Sequence, residues 1–475
     1  MIELGLIMKK IFTYFASALA LLSMGSCKSW LDINTNPNYV ADAKIKSLLP
    51  TTQLMTAYKV GYDINLYGYF WAQYVNQCST ANQYYTNMTY DVTNSSFTSP
   101  WSYFYGSIMP TLKEIITKGE AEEGNTNYVM EAKTMLAYNL YLLTSLYDKV
   151  AYSEGYLTES QNPHFDSGED MQKHIIGILE EVRGLHAKAK ADESNNLSTS
   201  SDMVFGGDID GWLQFANTLY LKMMLRDFNT NKSKIEALLS EDNLLKQDAS
   251  FDNFLDASDK SNPLYENDRR HLNSNMNIRA CSDIANVLDA SDPRFAYYYD
   301  SNPGGVFGGE PYGLASDPTK TSRLAIGATD PVYFGTADEA EFLKAEAYAR
   351  LGNAAKAKTA YETAIKAAFA RAKCKEADAQ TLLAGPYAFK SGSAESMVEQ
   401  IINHKWASNV RCMPTESWFD LNRTGYPTRG KTITDYHGVL DSGYPQRFLY
   451  SKTSATYNVN SPEPVALNVK MWWHK

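Results

Sequence analysis

Residues 23–27, Ser23-Met24-Gly25-Ser26-Cys27, set small or unbranched side chains directly ahead of a cysteine. That order suits a peptidase that cuts before a cysteine whose sulfur has been acylated, so Cys27 is the candidate lipidation site. Upstream, Lys9 and Lys10 precede an apolar run over 11–22, the layout of a secretory signal and too short to span a bilayer. Residues 1–26 therefore read as a leader, with Met8 a better start than Met1 because Lys9 and Lys10 then follow it directly. Acyl chains contribute about 0.8 kcal/mol per buried CH₂, so a multiply acylated Cys27 holds a chain to a membrane without a spanning helix. The competing reading is an ordinary cleaved signal with a coincidental cysteine.

Catalytic chemistry finds little support. His164, His174, His186, His271, His404, His437 and His474 are scattered, and none stands at metal-ligand spacing from another. There is no HExxH, GxSxG, Walker or paired CxxC sequence, and the glycine-rich run over 301–313 lacks the order that cradles phosphate. Paired carboxylates for glycoside hydrolysis need only lie about 5–10 Å apart in space, so spacing along the chain does not decide them. Asp208-x-Asp210-Gly211 hints at calcium but lacks the remaining ligands of a binding loop, and it reads better as a helix entry capped by Asp210. The expected cofactor and metal inventory is therefore none, with a structural calcium ion left open. Cys78, Cys281, Cys374 and Cys412 are widely spaced and read as buried thiols or one bridge.

Binding chemistry is better supplied. The 475 residues include 33 Tyr, 8 Trp and 19 Phe, and amphipathic rings offer flat faces and hydroxyls of the kind that grip sugars. The net charge of −10, with no basic cluster, argues against nucleic acid as a partner. Candidate ligand contacts are Gln83, Tyr84, Tyr85 and Tyr90 in a Ser/Thr/Asn-rich loop over 77–100, and Tyr297, Tyr298 and Tyr312 in an irregular insertion over about 250–335. Any of these rings can equally be scaffold.

The elements that must position such groups are mostly helices. Residues 28–40 are polar and turn-rich and read as a tether, so the expected organisation is a leader over 1–26, a tether over 27–40 and one domain over 41–475. Leu136, Leu140, Leu143 and Tyr147 share a face, which predicts a helix over 128–147. Further amphipathic helices are predicted over 101–116, 171–190 and 210–228. Residues 338–368 predict a helix pair broken at Leu351-Gly352-Asn353, where Gly352 ends one helix and Asn353 caps the next. Tyr348, Ala357, Tyr361 and Ala364 fit the tetratricopeptide pattern, with a generic helical hairpin as the competing reading; such a unit needs stacked neighbours, and 128–147 is a candidate.

In chain order, several stretches resemble the SusD/RagB family. They include Trp30-Leu31-Asp32, Asn36-Pro37-Asn38, Trp71-Ala72-Gln73-Tyr74, Tyr147-Asp148-Lys149-Val150-Ala151-Tyr152 and Trp212-x-x-Phe215-Ala216-Asn217. Asp292-Pro293-Arg294, Lys405-Trp406, Glu416-Ser417-Trp418-Phe419-Asp420, Arg423-Thr424-Gly425-Tyr426-Pro427 and Trp472-Trp473 continue the match. Lys149 and Ala151 depart from the usual residues. The resemblance implies a mostly α, tetratricopeptide-like superhelix with long irregular loops. It also implies a non-enzymatic lipoprotein of the outer membrane that captures oligosaccharides, or peptides, for a SusC-like TonB-dependent transporter. Lys405, Glu416 and Arg423 are expected to form a buried ion-pair network that serves architecture.

Overall fold

The computed structural model describes residues 43–192, 200–274, 276–429, 440 and 443–474; Cys27, the leader and the tether lie outside them. The described chain opens with α1 (Ile45–Tyr58) and, after one π turn, α2 (Asn65–Trp71). Next come α3 (Met109–Ala121), α4 (Thr126–Tyr147), α5 (Gly168–Ala191), α6 (Ile209–Arg226) and α7 (Phe228–Glu241). An irregular insertion separates these from α8 (Ala337–Arg350), α9 (Ala354–Arg371), α10 (Ala394–Ser408) and α11 (Pro414–Thr424).

Every residue of α4 except Lys133 is buried, because its apolar side chains occur on all faces and each face needs a neighbour. α3, α5 and α6 supply those neighbours. The helix stops where Asp148 adopts φ 70° and returns its N–H to the Thr144 carbonyl. α8 and α9 form the predicted hairpin: Gly352 turns with φ 77°, and the Asn353 side chain accepts from the Lys356 N–H as the cap. Tyr361, Ala357 and Ala364 are buried at its seam. The hairpin stacks chiefly against α10, with α6 beside α8, rather than on α4 as expected; α4's faces are already filled by its sequence neighbours. The entry to α6 also differs from expectation, since Asp208 is the cap, accepting from the Asp210 N–H. Asp210 instead pairs with His186 and Lys190, so this fragment is committed to the helix start.

The first and last elements interlock. Gly68 of α2 lies so close to α11 that a Cβ there would sit 2.4 Å from the Thr415 nitrogen. Trp71 meets Trp418 edge-on at 4.8 Å, Phe448 stacks on Phe97 at 4.3 Å, and the Phe448 N–H donates to the Leu146 carbonyl. The Tyr74 hydroxyl donates to the Trp406 carbonyl and also meets the Ser417 hydroxyl at 2.7 Å.

The expected buried ions form an alternating chain through the helices. Lys222 bridges Glu416 and Glu339 at 3.0 and 2.8 Å; Lys405 bridges Glu339 and Asp420 at 3.1 and 2.8 Å. Arg423 joins Asp420 to Glu346 at 2.8 and 2.6 Å, and Arg350 closes on Glu346 at 2.8 Å. Each charge thus has opposite neighbours, as burial demands.

A second buried acid lacks that compensation. The Asp202 carboxylate accepts from the N–H groups of Val204, Phe205 and Gly207 and from the Trp212 ring. Fully buried Glu131 faces it, and burial, followed by the Asp202 charge, pushes the Glu131 carboxyl well up. An acid raised in this way leaves stability intact below its unfolded pKa, and stability is lost as pH climbs toward the folded value. Glu131→Gln is therefore expected to raise the urea midpoint at pH 8 by the equivalent of about 1–3 kcal/mol, an advantage that shrinks toward pH 4.5. An unchanged or lowered midpoint at pH 8 would contradict this.

Candidate binding site

The insertion is closed at its neck by a two-stranded ribbon, in which Ala249–Phe251 pairs antiparallel with Val332–Gly335. Above the neck, a four-stranded sheet runs in the order Val75–Gln77, Ile278–Ala280, Arg323–Leu324 and Tyr299–Asp300, all pairs antiparallel. It ties the early loop to the insertion. Tyr299 and Asp300 are successive strand residues, so their side chains leave on opposite faces. Each face lines a cavity.

The polar cavity, about 480 Å³, has Tyr265, Arg269, Asn273, Ser274, Asp300 and Arg323 on its wall. Arg323 grips Asp300 through two nitrogens at 2.6 and 2.7 Å. Arg269 pairs with buried Asp268 and donates to the Leu324 carbonyl at 3.2 Å. Burial, and secondarily nearby Arg323 against the pull of Asp268, lowers the Arg269 pKa, which marks a guanidinium that gains from an added acceptor. Arg279 sits opposite Arg323 in the sheet but turns its guanidinium to the Pro318 carbonyl at 3.0 Å and to Thr321. The wall is thus a set of planar donors and acceptors held by strand and helix backbone beside one tyrosine ring, suited to a polyhydroxylated or zwitterionic ligand.

On the other face, a second cavity of about 480 Å³ is lined by Leu288, Phe295, Tyr299, Val306 and Phe307. Phe295 and Phe307 lie 4.6 Å apart and Tyr299 stands 5.4 Å from Phe307, a half-buried aromatic cleft with exposed Val306 at its rim.

Of the residues singled out in sequence, Gln83 and Tyr85 are exposed on the early loop and Tyr297 is half-buried under the Arg411 guanidinium at 4.6 Å. Tyr84, Tyr90, Tyr298 and Tyr312 are buried, which removes their rings from solvent. Tyr90 stacks with Tyr312, whose hydroxyl donates to the Met88 carbonyl, and Tyr298 reaches the Ser408 carbonyl at 3.4 Å. Tyr84 lies beside Asp268 and Tyr62; burial first and those neighbours second push its phenol well up. It thereby seats the Gln83–Tyr85 loop against the segment that carries Tyr265 and Arg269. Sequence reasoning missed Tyr265, Arg269, Asp300 and Arg323. The four described cysteines are all free thiols, with Cys78, Cys281 and Cys412 buried.

Residues 37–451 match the SusD-like family model described as starch-binding and associating with the outer membrane. The chain belongs to the SusD-like family. Among solved structures, a SusD homologue from Bacteroides uniformis is 22% identical with a TM-score of 0.71, the match covering 90% of this chain and 99% of that one. A chitin-binding SusD homologue from Flavobacterium johnsoniae is 19% identical with a TM-score of 0.74, covering 90% and 98%. Another chitin-binding protein is 19% identical with a TM-score of 0.76, covering 91% and 100%. No curated protein matches the sequence. At these identities the likeness establishes the SusD-like helical scaffold. Among the described residues no helix is long and apolar enough to cross a membrane.

Proposed function

We propose that this SusD-like protein captures oligosaccharides at the outer face of the outer membrane and passes them, unaltered, to a SusC-like TonB-dependent transporter. Acylated Cys27 would hold it there, in keeping with a family described as associating with that membrane. The observation that carries capture is the polar cavity: Tyr265 offers a ring face, while Arg269, Asn273, Asp300 and Arg323 offer hydrogen-bonding groups to hydroxyls. Relatives that bind chitin make amino-sugar and starch oligosaccharides the first ligands to try. A second reading, peptide capture, is favoured by the charges on the same wall, since Arg269, Arg323 and Asp300 match a chain carrying both termini.

The purified protein is to be titrated calorimetrically with starch- and chitin-derived oligosaccharides and with short peptides, and assayed for new reducing ends. Expected is saturable binding of a glycan without cleavage, weakened about tenfold or more by Arg323→Ala with the helical circular dichroism unchanged. Binding of peptides alone would replace the glycan reading with the second one. New reducing ends would overturn both.

A further inference from the structure

We propose that Asp259, Glu266 and His271 form a binding site for a divalent transition-metal ion, zinc by the chemistry of its donors. One ligand atom from each lies within 4.8 Å of the others. His271 Nε2 stands 3.4 Å from Glu266 Oε1 and 3.6 Å from Asp259 Oδ1. A tetrahedral ion with bonds of about 2.1 Å holds its donors about 3.4 Å apart, so these groups are already near the required spacing.

Glu266 supplies the independent observation. Its residue is only 4% exposed, yet Oε1, the atom facing His271, has no hydrogen-bond partner. His271 Nε2 is a polar neighbour of that atom, 3.4 Å away, and a cation seated between the two would give it a direct contact. The other oxygen, Oε2, is occupied: it accepts from the Ser261 hydroxyl and lies 3.4 Å from Arg270, contacts that aim Oε1 into the cluster as outer-shell partners do. Asp259 and His271 are both exposed, which leaves an entry path and room for water as a fourth ligand.

One imidazole with two carboxylates suits zinc and its neighbours and is poor for calcium, which takes six to eight oxygens. The spacing of seven and then five positions matches no familiar motif, which is why pattern reading passes over it. Bound there, the ion fastens the loop holding Asp259 to the π-helical segment Tyr265–His271, whose Tyr265 and Arg269 line the polar cavity.

The test is calorimetric titration of the chelator-treated protein with zinc chloride, alongside His271→Ala and Asp259→Asn. Both substitutions fall on exposed side chains, so folding is retained and is checked by circular dichroism. Expected is one site per chain that His271→Ala weakens at least tenfold, a zinc-dependent rise in Tm that both variants lose, and no competition from calcium at equal concentration. Absence of zinc binding, or binding equal in wild type and both variants, overturns the proposal. The second outcome assigns the ion to surface pairs such as His164 with Glu154 or His186 with Asp210.

Discussion

Replacing Glu346 by alanine is expected to destabilise the protein by about 3–5 kcal/mol, because it leaves the buried Arg423 guanidinium facing a cavity. Burial alone would raise the Glu346 carboxyl; Arg423 and then Arg350 outweigh it and bring it down to about 2. From the usual value near 4.5, that shift corresponds to roughly 3 kcal/mol, in line with the substitution estimate. A depressed acid lends its stability above the unfolded pKa and loses it as pH falls through the folded one. The wild type should therefore lose stability steadily from about pH 4.5 to 2, and Glu346→Ala should show a shallower decline over that window. Urea midpoints at pH 7, 4 and 3 measure both effects. Equal stability of the two proteins at pH 7 would show that the network contributes nothing net.

Trp418→Ala should cost a similar amount, about 3–5 kcal/mol, through a different cause. The fully buried indole touches Trp71 at 4.8 Å and stacks near Phe448 at 5.8 Å, and its N–H donates to the Pro445 carbonyl at 2.9 Å. Alanine opens a cavity between elements distant in sequence and withdraws the donor from Pro445. Trp418→Phe keeps most of the packing and loses only the donor and part of the volume, so it should fall between the two. A loss below about 1 kcal/mol for the alanine variant would mean that the neighbouring rings collapse into the space.

Much of the scaffold was legible because it rests on local periodicity. The stripe Leu136, Leu140, Leu143 and Tyr147 implied a helix, and Gly352-Asn353 implied a hairpin turn, since both signals lie within a few residues of what they determine. The ion network was legible for a related reason: Lys405, Glu416 and Arg423 stand among apolar helix positions, where only pairing makes a charge tolerable. The neighbour of the α8–α9 hairpin was not legible, because small seam residues state that something packs closely without stating what.

The cavity wall was hidden for a further reason. Tyr265, Arg269, Asp300 and Arg323 come from three segments joined by strands of two or three residues, too short to print an alternation on the sequence. Tyrosine abundance misled in the opposite direction. A phenol serves a core as readily as a surface once its hydroxyl finds a carbonyl, as Tyr74 does with Trp406 and Tyr312 with Met88.

The meeting of Gly68 with Thr415, and of Phe448 with Leu146, also governs the order in which the molecule can assemble. These contacts join positions some three hundred residues apart, so the entropy of closing that loop must be overcome before they return any stability. Tyr67 and Trp71 of α2 and Tyr147 at the end of α4 lack their ring partners Trp418 and Phe448 until the segment from Pro414 onward is present. Closure of this ring cluster is thereby a late event, whereas the packing of α4 against α3, α5 and α6 needs nothing beyond Arg226.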